Sequence, residues 1–255
     1  MNQPTAEQQH QWDEKGYMVI ENAVTGDLLK RVQAAHKYWF EQCKNDWLVQ
    51  VEAADTSATY FDIPDPFAKD LVFAELVDQP SWSGLLRAFM EDPIFLGPQV
   101  RTVPNWPVSY TSWHPDTSPQ RPLHVKVQIY VNDVDDGAFG FIPGSHKPRH
   151  YSMPYVHRLR SMPGHKAFAG KAGTAVMFNA LGWHAAMENM SGAPRQSIIF
   201  IYESRSEKHE PSDRFEAAAS VCHTTASRRL FNLRRKTEDG RRKTEDRLET
   251  IDLRL

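Results

Sequence analysis

Apolar positions recur with two different periods in the two halves of this chain. Residues 5–15 predict a short helix, with Thr5 as N-cap, Glu7 in the first turn and Gly16 as its stop. Gly16-Tyr-Met-Val-Ile20 is a short apolar run that reads as a buried strand, and Thr25-Gly-Asp27 as a turn or cap. Leu28, Leu29, Val32, Ala35, His36, Trp39 and Phe40 then return at helical spacing. Residues 45–66 mix polar residues with Tyr60-Phe61, end in Pro64-Asp-Pro66, and read as a loop. Two further helices are predicted, Phe67 to Val77 and Ser81 to Met90, separated by Pro80.

Beyond Pro93 the period becomes two. In His124 to Val131, Val125, Val127, Ile129 and Val131 share one face and His124, Lys126, Gln128 and Tyr130 the other. Asp135-Asp-Gly137 reads as a hairpin turn, Ile142-Pro-Gly-Ser-His146 as the close of a strand, and Gly173–Asn179 and Gln196–Tyr202 as two more strands. Helices first and short strands afterwards predict an α+β, mainly β, fold with helices packed on one side of a sheet or barrel. Residues 1–205 read as one domain, helical over 1–92 and strand-rich over 93–205. Residues 206–255 read as a charged C-terminal extension in which Arg-Arg-Lys-Thr-Glu-Asp occurs at 234–239 and again at 241–246. The seven-residue offset would align both copies along one helical face, as a solvated helix, a tail, an oligomer contact or a lid over the site.

Composition narrows the classes. The 255 residues are 40% hydrophobic and 24% charged, with a net charge of -2, which suits a globular protein and gives no reason to expect nucleic acid or an anionic membrane as partner. Cys43 and Cys222 are far apart, against a disulfide scaffold or thiolate cluster. The polar start and the lack of a long apolar run predict neither a secretory signal nor a membrane span, so a cytoplasmic setting is expected.

The candidate chemistry lies in Trp113-His-Pro-Asp116. In an extended segment His114 and Asp116 point to the same side, where an imidazole and a carboxylate can chelate a divalent ion. His184, in Gly182-Trp-His184 after a strand, supplies a third ligand. Two imidazoles and one carboxylate form the facial triad of non-haem iron sites, with three positions left open; structural zinc prefers four nitrogen or sulfur ligands. Each residue alone also has a plainer reading: His114 as a hydrogen-bonded structural histidine, Asp116 as an Asx-turn residue before Thr117. Arg195 follows His184 by eleven residues, and strand alternation puts Ser197 beside it. At a barrel mouth such an arginine can grip a carboxylate through both arms; at a turn after Pro194 it is a surface residue.

With these residues in place, the chain resembles the phytanoyl-CoA dioxygenase family of iron(II)- and 2-oxoglutarate-dependent oxygenases. The resemblance runs from about Glu7 to Tyr202 and rests on several motifs: Gly16-Tyr-Met-Val-Ile20, Trp-His-x-Asp at 113–116, Asp133-Val-Asp-Asp-Gly137, Ile-Pro-Gly-Ser-His-Lys at 142–147, Gly173, and His184 with Arg195. It implies a double-stranded β-helix (a jelly-roll, cupin-like barrel). It also implies iron held by His114, Asp116 and His184, and 2-oxoglutarate held at its far carboxylate by Arg195 and Ser197. O2 would be the co-reactant and a small-molecule metabolite the substrate, hydroxylated with release of succinate and CO2. The turn at 133–137 is shorter than is usual in the family, and Gly173-Thr174 replaces the commoner Gly-Asp. Gln128 falls where some members carry an inward tryptophan, so it would contact 2-oxoglutarate or substrate unless its strand face is solvated. His146 reads as a turn residue, and Trp113 and Trp183 as core. The substrate pocket would draw on Arg101, Asn105, Trp106, Tyr110, Tyr60, Phe61, Lys126 and Tyr130. Two other readings remain: a cupin-type metalloenzyme without 2-oxoglutarate, against which Arg195 and Ser197 speak, and a non-catalytic binding module, against which the intact triad speaks.

Overall fold

The structure is a computed structural model that describes residues 3–105, 112–147, 162–189, 191–206, 208–236 and 242–243. Helix α1 (Ala6–Lys15) is fixed at both ends. The Thr5 hydroxyl accepts from the Gln8 N–H, the Gln8 side chain accepts from the Thr5 N–H, and Gly16 turns left-handed at φ 78°. At Gly16 a Cβ would also collide with the imidazole of His146, so glycine is required twice over.

Helix α2 (Gly26–Glu52) runs well beyond the stretch expected from its apolar spacing. Nothing stops it at residue 45: no Gly or Pro occurs from Asp27 to Glu52, and Trp47 is buried with its indole N–H donating to the Ser57 carbonyl. The single helix expected over 67–77 is instead two turns, α3 (Pro66–Lys69) and α4 (Val72–Glu75). They are split at Asp70, whose extended backbone lets its carboxylate accept from the Val72 N–H. Helix α5 (Pro80–Phe89) takes Pro80 as its first residue, one ahead of the expected start at Ser81, since a proline needs no N–H partner there.

Two antiparallel sheets face each other. The strands in chain order are β1 (Tyr17–Ile20), β2 (Phe61–Asp62), β3 (Pro93–Val103), β4 (His124–Tyr130), β5 (Val134–Phe141), β6 (Lys166–Gly170), β7 (Ala175–Asn179), β8 (His184–Ala186) and β9 (Arg195–Ser204). The larger sheet has six strands in the order β1-β7-β4-β9-β3-β2, and the smaller has three in the order β6-β5-β8. This is a jelly roll with helices on one side. The alternation read along β4 holds: Val125, Val127 and Ile129 enter the core shared with the helices, beside Phe73, Leu76, Trp82 and Leu86. The opposite face looks across to the small sheet, where Tyr17, Tyr130, Phe139, Phe141, Phe168 and Phe178 pack together. Asp135-Asp-Gly137 is not a turn. It lies inside β5, absorbed as an irregularity where the pairing with β6 shifts register between Val134 and Phe139.

The packed body does not end at residue 205. A 3-10 helix (Glu216–Val221) and α6 (Thr225–Leu230) follow, and Phe215, Ala218, Cys222, Leu230, Phe231 and Leu233 are buried in the main core. Phe95 meets the Phe215 and Phe231 rings at 5.0 and 5.4 Å. Asp92 ties the segment down, accepting from Arg205 and from both arms of Arg229. In the repeated hexapeptides, β10 (Arg235–Lys236) pairs antiparallel with β11 (Arg242–Lys243), so these residues form strands and not the shared helical face that their spacing suggested. Among the described residues no helix is long and apolar enough to cross a membrane.

Candidate metal centre

His114 and His184 are brought together by the backbone. Each donates its N–H to the carbonyl of the other at 3.0 Å, an isolated bridge at the rim of the small sheet, and the Asp116 N–H donates to Ala180 O at 2.8 Å. The Ile-Pro-Gly-Ser-His segment explains how His184 is aimed. The Ser145 hydroxyl accepts from the Trp183 N–H at 2.8 Å and donates to Ile142 O, while the Ile142 N–H donates to Trp183 O. Gly144, at φ 80°, donates its N–H to Lys15 O and so hangs this segment on the end of α1. Sequence reasoning read the motif but missed this role of Ser145. A serine in a Pro-Gly turn, one strand from a candidate ligand, was the available signal. His146 packs under Gly16, outside the cluster of His114, Asp116 and His184. Trp113 and Trp183 are buried with Ile142, Met162 and Ala185 in a separate apolar cluster, as expected.

The three side chains converge. One ligand atom from each of His114, Asp116 and His184 lies within 4.8 Å of the others. The His114 Nδ1 is 2.6 Å from Ser112 O, and the His184 Nδ1 is 2.9 Å from Gly182 O. Carbonyls only accept, so each Nδ1 carries the proton and each Nε2 presents a lone pair. Those lone pairs face Asp116: His184 Nε2 is 2.9 Å from Oδ2, and His114 Nε2 is 3.7 Å from Oδ1. Three electron-pair donors pointing at one place need a cation between them, or a proton in its stead. The donor set therefore fits a divalent metal of the borderline, nitrogen- and oxygen-binding kind.

Local electrostatics keep the ligands in the right protonation state. Burial, then the neighbouring His184, hold the His114 imidazole below its ordinary range, that is, neutral. For Asp116, burial pulls upward. In the metal-free site a proton standing where the metal would sit, between His184 and the carboxylate, and the Lys126 ammonium at 2.7 Å outweigh it and keep the carboxyl far below the usual range, ionised.

A cavity of about 250 Å³ opens beside the triad, between the two sheets. Arg195, the first residue of β9, and Ser197 both line it and are buried, at 3% and 1% exposure. The surface alternative for Arg195 is thereby removed. Gln128 also lines the cavity and is 5% exposed, so its strand face is not solvated. Phe139 and Phe178 wall it, their rings 5.6 and 5.0 Å from that of His184. Of the expected pocket residues, Tyr60, Arg101 and Lys126 line the cavity. Arg101 is committed: its guanidinium makes two 2.7 Å bonds to Asp62 and lies 3.7 Å over the Tyr60 ring. Phe61 is in the helix-side core, and Tyr130 packs between the sheets with its hydroxyl donating to Phe168 O. Asn105 is exposed and outside the cavity lining, while Trp106 and Tyr110 fall outside the described residues. Gln99, Phe139 and Phe178 on their strands and Thr59 just ahead of β2 line the cavity without having been picked out; only the tertiary fold, invisible in a single sequence, brings them there.

Known proteins agree with this fold. A curated relative, the ectoine dioxygenase of Nocardia farcinica (strain IFM 10152), is 21% identical over 237 residues, 78% of each chain. The solved structure of HygX from Streptomyces hygroscopicus, with nickel and 2-oxoglutarate bound, superposes with a TM-score of 0.57 at 16% identity, covering 80% of this chain and 88% of that one. EctD from S. alaskensis, with 2-oxoglutarate and 5-hydroxyectoine, gives 0.57 at 18% identity, covering 79% and 76%. The family model for phytanoyl-CoA dioxygenase (PhyH) matches residues 12–197, and the chain belongs to that family.

Proposed function

We propose that this protein is a non-haem iron(II)- and 2-oxoglutarate-dependent oxygenase acting on a small-molecule metabolite. His114, Asp116 and His184 would hold the iron, and the observation that carries the reading is their convergence beside a cavity with Arg195 and Ser197 buried in its wall. Family membership and neighbours crystallised with 2-oxoglutarate support it. Iron, 2-oxoglutarate and O2 together supply the C–H oxidation, with succinate and CO2 as co-products.

The chain's own residues do the rest. The Ser112 and Gly182 carbonyls fix both imidazole tautomers, so the site forms without a rotamer search. The Arg195 guanidinium offers a planar fork to the far carboxylate of the cosubstrate, and the Ser197 hydroxyl a further donor. The Gln128 amide stands between these and Lys126 on β4, placed to hydrogen-bond cosubstrate or substrate. Phe139 and Phe178 keep water from one side of His184. A reducing, cytoplasmic setting suits an enzyme that must keep ferrous iron, and the basic-acidic repeat at 234–246 would be the contact for another copy.

Anaerobic titration with iron(II) and then 2-oxoglutarate tests the reading. A weak visible charge-transfer band should grow with both added and be lost in Asp116→Ala. Iron bound without the band would favour a cupin-type enzyme that does not use 2-oxoglutarate, and no iron bound would remove the oxygenase reading altogether.

A further inference from the structure

Lys126 enters the cavity from the middle of β4, and its position is tightly determined. Its backbone is paired on both sides, with Phe178 of β7 and Ile201 of β9. Its side chain is 13% exposed, and its ammonium lies 2.7 Å from Asp116 Oδ2. The other cations of the cavity are placed differently, Arg101 on Asp62 and Arg195 at the start of β9. A cation here is costly for a metal site, since it repels the dication that Asp116 would bind. Keeping Asp116 ionised does not require it, since a carboxyl bound to a metal ion is ionised in any case.

Carboxylate chemistry gives a reason. A carboxylate can give a metal ion one oxygen or both. Two imidazole nitrogens and one oxygen leave three places on a six-coordinate ion; two oxygens leave only two. A chelating keto acid takes two places, so the last one, needed for a third ligand, exists only if Asp116 binds through a single oxygen. Asp116 turns Oδ2 toward His184 Nε2 and Oδ1 toward His114 Nε2, so both oxygens border the place where a metal would sit. We propose that Lys126 is a positioning residue that holds Oδ2 and so limits this carboxylate to one metal bond, through Oδ1. The proposal rests on the reading of His114, Asp116 and His184 as the metal ligands. The polar lysine head is spent on the carboxylate, and the stem forms part of the cavity wall next to Gln128.

The test separates metal binding from cosubstrate binding. Lys126→Met keeps the length of the stem and drops the charge, Lys126→Gln keeps a hydrogen-bond donor, and Lys126→Arg keeps the cation. Each folded variant is titrated anaerobically with cobalt(II) and then with 2-oxoglutarate, followed by calorimetry and by the cobalt visible spectrum. Lys126→Met should bind cobalt(II) at least as tightly as the parent, because repulsion is gone and a second oxygen is free. Its Kd for 2-oxoglutarate should rise roughly tenfold or more, and the cobalt spectrum of the metal-only form should change; Lys126→Arg should stay within about threefold of the parent in both titrations. Lys126→Gln should fall between the two. A lysine that merely packs would lower both affinities together or neither, and either result overturns the proposal, as does weaker cobalt(II) binding with 2-oxoglutarate affinity intact. Asp116→Ala run alongside keeps the two readings apart. If it binds cobalt(II) like the parent, the ligand assignment itself fails, whatever Lys126 does.

Discussion

At the scale of single residues, Arg195 makes the sharpest demand. Its guanidinium is buried at 3% exposure in the cavity wall, where a charge is costly unless it is hydrogen-bonded, and on the proposed function the far carboxylate of 2-oxoglutarate would be one of its partners. Arg195→Lys keeps the charge and loses the two-armed geometry. A charge-assisted hydrogen bond contributes about 1.5–3 kcal/mol, so the Kd for 2-oxoglutarate, measured on the anaerobic iron(II) protein, should rise about ten- to a hundredfold. An unchanged Kd would place the anchor elsewhere. The residues of this site were legible to different depths. His114 and Asp116 were readable because two positions apart on an extended segment means one side, whatever the fold. Arg195 and Ser197 were readable by the same rule. The partner of Lys126 was not, because the contact joins a strand to a loop, and no period in the sequence records that distance. Arg101 shows the reverse. It was counted among the pocket residues and does line the cavity, yet the pairing of β2 with β3 sets Asp62 beside it and occupies its guanidinium.

At the scale of elements, the alternation along β4, the stop at Gly16 and the helix boundary at Pro80 were plain, because each is a local rule. The segment after residue 205 was not legible. Phe215, Ala218, Cys222, Leu230, Phe231 and Leu233 are scattered through a charged stretch with neither a helical nor a strand period, and only the surface left open by Phe95 and Phe67 explains why they are buried. Phe231 is the keystone of this contact, at 2% exposure and within ring contact of Phe67, Phe95 and Phe215. Phe231→Ala should therefore cost about 3–5 kcal/mol, as for other large core aromatics, read as a lower midpoint in urea unfolding. A cost below about 1 kcal/mol, the size expected of an ordinary surface change, would show that the segment is an appendage and not part of the body.

For the molecule as a whole, acid stability follows from a residue outside the cavity lining. His36 lies on α2, fully buried against β3, with its Nε2 3.3 Å from Arg101 O. Burial pulls its pKa down to about 4, against the backbone bond to Arg101, which pulls up. The sign follows from comparing the two states. Above the unfolded value of about 6.5 both folded and unfolded chains carry a neutral ring, and His36 gives stability no pH dependence. Below it the unfolded chain takes up a proton that the folded chain refuses, so stability falls as pH drops, until the folded ring also titrates near pH 4. At pH 5 the lost stability amounts to about 2 kcal/mol. His114 and His146 are lowered by burial too and act in the same direction, whereas the depressed carboxyls of Asp92 and Asp116 lose their contribution only at lower pH. Two imidazoles thus remain to give a residual slope when His36 is replaced. His36→Gln cannot titrate and keeps a side-chain N–H for the Arg101 carbonyl. Urea unfolding of the metal-free protein at pH 7.5 and pH 5.0 should show a drop smaller by about 2 kcal/mol in the variant than in the parent, even if the variant is less stable at both. Equal drops in the two proteins would mean that the ring at 36 accepts its proton in the folded state as readily as in the unfolded one, and that the layer between α2 and β3 admits water.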